Sequence, residues 1–395
     1  MGRLAFPYYS SGGECIEIVV VMASPHPALI ELAAGRDLPA VEDVDGFLRS
    51  AREHRLHGVV WDQIQEGRFS LPHRAELVIA RWQLQARAHH QRLWKSLEDA
   101  VGRLESIGLG VATAKGVTAE SRWYPGIGAR PTLDVDLLLR PSDIRRSGDA
   151  VFAIDPEHRL RGVVAYLAED GHLQSVDLRD ELGSHIDLHF DILKYEVATR
   201  QIQLIWDRTQ YLVTPSGGGV RVLDPETSLV LFLLHLNKDR FSHLLGFVDI
   251  VRLIDQEELD WDFIDRFLRT EGIDTHVYLA LDTVFGTLGL PPPAHPTPSG
   301  WRAATWRRLW SESVRLGGDQ GRLSHPRRQY WIAATARGRS VEAASRWLRR
   351  VFPSRALLDY HHPGLSGAYL TRLALGRRRS ARQRREVIAA LDDAR

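Results

Sequence analysis

An α+β fold, a small mixed β-sheet core flanked by helical N-terminal and C-terminal regions, is what the sequence predicts. Three observations carry it. Apolar residues recur at helical spacing from Pro27 to Gly108, the period shortens to that of strands between Leu109 and Leu223, and helical spacing returns from Asp224. With 395 residues, 44% apolar and 26% charged, the chain is long enough for two or three packed units.

Residues 1–21 carry Gly12-Gly13 and no helical period, and are expected to be a disordered or mis-annotated leader, with translation beginning at Met1 or Met22. A helical N-terminal domain follows over 22–108. In it Val44, Phe47, Leu48 and Ala51 make one apolar helix face over 41–54, and a long amphipathic run over 75–107 ends at Gly108, suited to the left-handed turn that closes a helix. The α/β core, 109–223, opens on the short stretch 109–114 (LGVATA). Strands are expected over 132–139 (TLDVDLLL), 173–178 (LQSVDL) and 185–192 (HIDLHFDI), with helices over 142–152 and 159–168 between them. Residues 211–214 and 220–223 flank Pro215-Ser216-Gly217-Gly218-Gly219 and read as a hairpin. A helical domain over 224–290 is expected to close the site, its clearest helices at 227–236 and 244–254. Pro291-Pro292-Pro293 opens a Pro-rich linker, 291–300, before an Arg- and Trp-rich basic helical region, 301–395.

Composition narrows the function. A single Cys, Cys15, excludes a disulfide scaffold or a Cys-built zinc site and fits a reducing compartment. Apolar runs are too short to cross a bilayer, and no basic stretch or cleavage signal frames residues 18–23, so the protein is read as cytoplasmic. The net charge of +1 conceals an asymmetry: residues 301–395 hold 21 Arg, no Lys and 7 acidic residues, a formal +14, which leaves −13 for residues 1–300. Trp301, Trp306, Trp310, Trp331 and Trp347 interleave with those arginines. Either the basic region docks on the acidic body, or it contacts a polyanion such as tRNA or an anionic membrane.

The chemistry is expected from carboxylates. Asp134 and Asp136 are two apart in a strand, so their side chains share a face and repel unless a cation sits between them. That is the reason such a pair binds Mg²⁺. In 185–192, His185, Asp187, His189 and Asp191 share one face and Ile186, Leu188, Phe190 and Ile192 the other; if the two strands are neighbours, Asp187 completes a three-carboxylate cluster. His189 either orients a carboxylate or the acceptor, or serves the structure. At the end of the first core strand, Ala114-Lys115-Gly116-Val117-Thr118 leads into a helix; Gly116 would let a phosphate approach backbone N–H groups, with Lys115 or Thr118 as further donors. It is not a Walker A loop. Arg130, in the loop Tyr124-Pro125-Gly126-Ile127-Gly128-Ala129-Arg130-Pro131, either meets phosphate oxygens or is a turn arginine. Among 17 His no His-Glu-x-x-His pattern occurs, and the pairs His89-His90 and His361-His362 are expected at the surface. Asn237-Lys238-Asp239-Arg240 forms a polar helix end, either a solvated terminus or one where Lys238 or Arg240 reaches phosphate or base. Asp249 is spaced to pair with Arg252.

In order, Lys115-Gly116, Tyr124-Pro125, Arg130-Pro131, Asp134-Val135-Asp136-Leu137-Leu138 and His185-Ile186-Asp187-Leu188-His189 resemble the uncharacterised nucleotidyltransferase family of bacteria, within the DNA polymerase β-like nucleotidyltransferase superfamily. The resemblance starts near Pro27, continues through Leu234-His235-Leu236 and Asp249, and fades near Asp260-Trp261. It implies two Mg²⁺ held by Asp134, Asp136 and Asp187, with the phosphates of a nucleoside triphosphate near Lys115 and Gly116. It implies transfer of a nucleoside monophosphate to a hydroxyl acceptor, a small molecule, peptide, protein or tRNA, with release of pyrophosphate. Two departures stand out: Lys115-Gly116, with Gly116 lying 18 positions before Asp134, replaces the superfamily's Gly-Ser or Gly-Gly, and Val117-Thr118 replaces the small residues expected after the Gly. Two alternative functions are a toxin-like enzyme that modifies tRNA or another RNA, and a non-catalytic nucleotide-binding scaffold.

Overall fold

Alternating burial along two neighbouring strands organises the sheet in the computed structural model, which describes residues 25–37, 40–158, 174–193, 199–239 and 241–309, the backbone of 2–9 and 15–22, and isolated positions 164, 168, 336, 338 and 341. The helix expected over 159–168 and most of the basic region fall outside these residues.

Four helices precede the sheet: α1 (Pro27–Ala33), α2 (Val44–Glu53), α3 (His57–Gln65) and the 34-residue α4 (His73–Ser106). Asp43 caps α2 by accepting the N–H of Gly46 at 2.9 Å, which satisfies one of the donors a helix start leaves unpaired. Residues 1–21, expected to be a disordered leader, instead include the antiparallel hairpin of β1 (Gly2–Tyr9) and β2 (Cys15–Met22), in register Gly2 with Met22. The β-branched residues Ile16, Ile18, Val19, Val20 and Val21 account for this, since such residues favour pleated backbone.

The core sheet has six strands: β3 (Val111–Thr113), β4 (Asp134–Leu139), β5 (Ser175–Arg179), β6 (His185–His189), β7 (Gln210–Val213) and β8 (Gly219–Val222), in spatial order β5-β6-β4-β3-β8-β7. Pairing is mixed: β4 runs parallel to β6 and β3 parallel to β8, while β3–β4, β5–β6 and β7–β8 are antiparallel. Helix α5 (Val117–Trp123) follows β3, α6 (Ser147–Ile154) follows β4 after a turn of 3₁₀ helix at Pro141–Arg146, and α7 (Ile202–Asp207) precedes β7. The chain then forms α8 (Pro225–Lys238), α9 (Leu244–Gln256), α10 (Trp261–Glu271), α11 (Asp274–Leu288) and α12 (Gly300–Leu309).

The strand period divides the interior in two. Val135, Leu137, Leu139, Ile186 and Leu188 point to one face of the sheet and pack with Val176, Leu178, the second half of α4 (Leu93, Leu97, Val101, Leu104) and α6. Leu138, two places on from Asp136, points to the other face and joins the larger core. That core unites helices from both ends of the chain: Leu29 of α1, Phe47 of α2 and Ile79 of α4 pack with Leu233, Phe247, Leu281 and Trp306. The helical regions before and after the sheet therefore form one wall over one face. The Pro-rich linker is fastened to that wall, since His295 stacks on Tyr278 at 4.8 Å and pairs with Asp282 at 3.0 Å.

Candidate active site

The polar spot on the wall-facing side of the sheet follows from register. Asp134 lies opposite His185, Asp136 opposite Asp187 and Leu138 opposite His189, so the parallel pairing of β4 with β6 brings Asp187 level with Asp136. Side chains two apart on one strand share a face, which adds Asp134 and His189 to the cluster. Asp136 is 1% exposed, and its Oδ1 lies 2.9 Å from His189 Nε2 and 3.2 Å from Lys115 Nζ. His189 Nε2 is also 3.2 Å from Asp187 Oδ2. One further carboxylate borders the spot: Asp177 of β5 lies opposite Asp187 and pairs with His185 at 3.2 Å.

The field of these groups shifts their titration. Burial, then Asp136 and Asp187, push the Asp134 carboxyl above its ordinary value, against the pull of Lys115 and Arg55. Burial works against the charge on Lys115, but Asp136, Asp134, Asp239 and Asp187 together outweigh it and its pKa is raised. Lys115 is the internal counter-charge of the cluster.

Lys115 owes its place to the turn between β3 and α5. Gly116, the residue before α5, has φ 73°, a left-handed conformation that favours glycine, and a Cβ there would meet the Asp134 carbonyl oxygen at 3.2 Å and Thr132 Cγ2 at 3.3 Å. The turn thus lies directly against the start of β4. Thr118, expected as a phosphate donor, gives its hydroxyl proton to the Lys115 carbonyl at 3.0 Å and is buried, so it shapes this turn.

Arg130, expected either at phosphate or as a turn arginine, is committed elsewhere. Its Nε and Nη2 donate to the two oxygens of Asp249, both at 2.8 Å, and Nη1 donates to Thr132 at 3.0 Å. Tyr124 donates its hydroxyl to the same carboxylate at 2.6 Å, and burial followed by Asp249 holds its pKa well above the ordinary value, so it stays a donor. Asp249, spaced to meet Arg252, therefore anchors the loop 124–131 to α9, while Arg252 lies over the Tyr124 ring at 4.3 Å. His90, expected at the surface, is buried and pairs with Glu120 at 2.6 Å; the other Glu120 oxygen accepts the Arg130 N–H at 2.7 Å. Asp191 leaves the acidic face because β6 ends at His189, and its carboxylate instead accepts the N–H groups of Leu193 and Thr199.

Two charged residues at the site carry no local motif. Asp239, next after α8, pairs with His235 at 3.0 Å and lies in the field of Lys115. Arg55, in the turn between α2 and α3, faces Asp239 and Asp134, its pKa lowered by burial. The one available signal was the polar end Asn237-Lys238-Asp239-Arg240; nothing in the sequence marks Arg55.

Asp136, Asp187 and His189 each offer one ligand atom, and these atoms lie within 4.8 Å of one another, so the group could hold a metal ion. The donors suit a divalent cation: two carboxylates from adjacent strands, a third on the same face, and an imidazole whose Nε2 already points at both oxygens.

The model of a family described as uncharacterised nucleotidyltransferase matches residues 40–289. The chain belongs to this nucleotidyltransferase family. The match spans α2 to α11 and so contains every side chain placed at the site above. No curated protein matches the chain. Among solved structures, an antigenic nucleotidyltransferase-like protein from Paracoccidioides brasiliensis is 15% identical, with a TM-score of 0.26, over 50% of this chain and 94% of that one. Among the described residues no helix of the chain is long and apolar enough to cross a membrane.

Proposed function

We propose that the protein transfers a nucleoside monophosphate from a nucleoside triphosphate to a hydroxyl acceptor. The observation that carries this reading is the register of β4 on β6, which sets Asp134, Asp136 and Asp187 on one face with Lys115 among them. Like charges so close stay ionised together only with cationic compensation, and Lys115 alone cannot balance three carboxylates.

Asp134, Asp136 and Asp187 would hold Mg²⁺, two ions in the full site, with His189 fixing the Asp136 and Asp187 oxygens. A Mg²⁺ bound there would supply charge to neutralise the phosphates and to acidify the acceptor hydroxyl. Asp187 takes the hydroxyl proton. The acceptor oxygen forms its bond to the α-phosphorus, the bond from that phosphorus to the bridging oxygen breaks, and pyrophosphate leaves with the electron pair. Lys115, whose Nζ lies 3.2 Å from Asp136 Oδ1, would neutralise the phosphate being transferred, and Gly116 would leave its approach open.

Calorimetric titration with ATP, GTP, CTP and UTP, each with and without Mg²⁺, tests the reading on the wild type beside the Asp134→Asn, Asp136→Asn double variant. Metal-dependent binding of a triphosphate that the double variant loses supports it. Equal binding by both proteins refutes it.

A further inference from the structure

Among the described residues five helices close on a left-handed glycine. Gly35, Gly67, Gly108, Gly272 and Gly289 have φ between 64° and 75°, and in each turn the next N–H reaches back to the carbonyl five residues earlier at 2.9–3.0 Å. Helix α2 closes the same way, with Leu56 N–H on Ala51 O at 2.8 Å, but the left-handed residue is Arg55, φ 59°. Glycine is the residue that adopts this conformation freely, and a side chain with a Cβ is strained there. A position that keeps a strained, long, charged residue where its five counterparts keep glycine points to a task for the side chain.

The surroundings of the guanidinium indicate the task. Its opposing charges are Asp239 and Asp134, and Arg130 is a like charge nearby. His243, the residue before α9, donates its Nδ1–H to the Glu53 carbonyl at 3.0 Å and stays neutral, its pKa lowered to about 4 by burial and then by Arg55. Among the described residues Arg55 makes no side-chain hydrogen bond and no ion pair, although carboxylates flank it. A partly buried guanidinium held charged between carboxylates yet bonded to none presents its planar fork to an anion, and phosphate oxygens match that fork two at a time. Lys115 is bonded to Asp136 at 3.2 Å, whereas Arg55, which shares with it the field of Asp239 and Asp134, is bonded to no carboxylate among the described residues.

We propose that Arg55, supplied by the N-terminal helices, binds the pyrophosphate portion of the nucleoside triphosphate opposite the carboxylates of the sheet. The inference rests on the nucleotidyl-transfer reading above. It makes the helices before the sheet part of the substrate site, and gives the left-handed turn after α2 the purpose of aiming one cation.

The test is calorimetry on the full chain with Mg²⁺, using each nucleoside triphosphate, inorganic pyrophosphate and the matching nucleoside monophosphate against wild type, Arg55→Gly and Arg55→Lys. Arg55→Gly suits the backbone and is expected to melt at or above the wild-type temperature. Loss of a charged fork should weaken triphosphate and pyrophosphate binding by roughly tenfold to a hundredfold and leave the monophosphate within about twofold, with Arg55→Lys recovering part of the difference. Unchanged pyrophosphate affinity in Arg55→Gly, an equal loss for the monophosphate, or a marked fall in its melting temperature would each overturn the assignment. A wild type that binds no triphosphate would instead overturn the nucleotidyl-transfer reading, and this assignment with it.

Discussion

Replacing Asp249 by alanine should cost the fold several kcal/mol, and the structure sets the size. The Arg130 guanidinium, 11% exposed, would lose two charged hydrogen bonds of 2.8 Å, and the buried Tyr124 hydroxyl the acceptor it meets at 2.6 Å. Breaking a buried pair from one side costs about 3–5 kcal/mol, because the remaining charge stays desolvated, and a lost neutral hydrogen bond adds about 1 kcal/mol. At about 2–4 °C per kcal/mol for a body of this size, the melting temperature should fall by roughly 8–24 °C in thermal unfolding followed by circular dichroism. The double variant Arg130→Met, Asp249→Leu removes both charges and should melt close to wild type. A single variant that melts within about 2 °C of wild type would refute the reasoning and return Arg130 to the list of phosphate ligands.

The other expectations concern the site and its approaches. Because the folded-state pKa of Asp134 is raised above 3.8, its stabilising contribution is present below that pH and lost as pH climbs through the raised value. Metal-free wild type should accordingly lose stability over that rise and Asp134→Asn should not; parallel urea midpoints for the two across the range would contradict this. His57, whose pKa burial lowers to about 4, should destabilise the protein as pH falls from 6.5 towards 4, by about 3 kcal/mol at the lower end. His57→Phe should flatten that part of the profile, and an unaltered profile would exclude His57 as its source. Gly116→Ala, strained at φ 73° and crowded by the Asp134 carbonyl, should lower stability by about 1–2 kcal/mol and weaken Mg²⁺ binding in calorimetry; a neutral result on both would deny the turn its role.

Legibility in the sequence tracked how local each constraint was. The alternation in Asp134–Leu139 and His185–His189 was readable because each strand turns apolar residues to one face and polar ones to the other, which puts Asp134, Asp136 and Asp187 on one face once the strands are adjacent, whereas the register that sets Asp136 level with Asp187 was not readable from either strand. The hairpin of β7 and β8 was marked by its glycines. Partnerships across the chain left no such trace. Arg130 and Asp249 are 119 positions apart and belong to a loop and a helix whose meeting depends on the shared core. His90 reads as half of a surface pair until α5 brings Glu120 against it. Asp191 continues the polar face on paper, yet its bonds to Leu193 and Thr199 turn the chain first. Arg55 defeats pattern reading most fully, because its signal is a missing glycine at a helix end whose position is known only from the backbone.

Helix α4 begins in the core that covers the acidic face, with Ala75 and Ile79, and ends in the one behind the sheet, with Leu93, Leu97 and Leu104. At 1.5 Å per residue it is a rod of about 51 Å threaded through both. Its two ends are locked in phase like gears on one shaft. One inserted residue would turn everything beyond it by about 100°, carrying Leu93 and Leu97 off the sheet while Ile79 stayed seated. The length of this rod is thus as constrained as any carboxylate of the site.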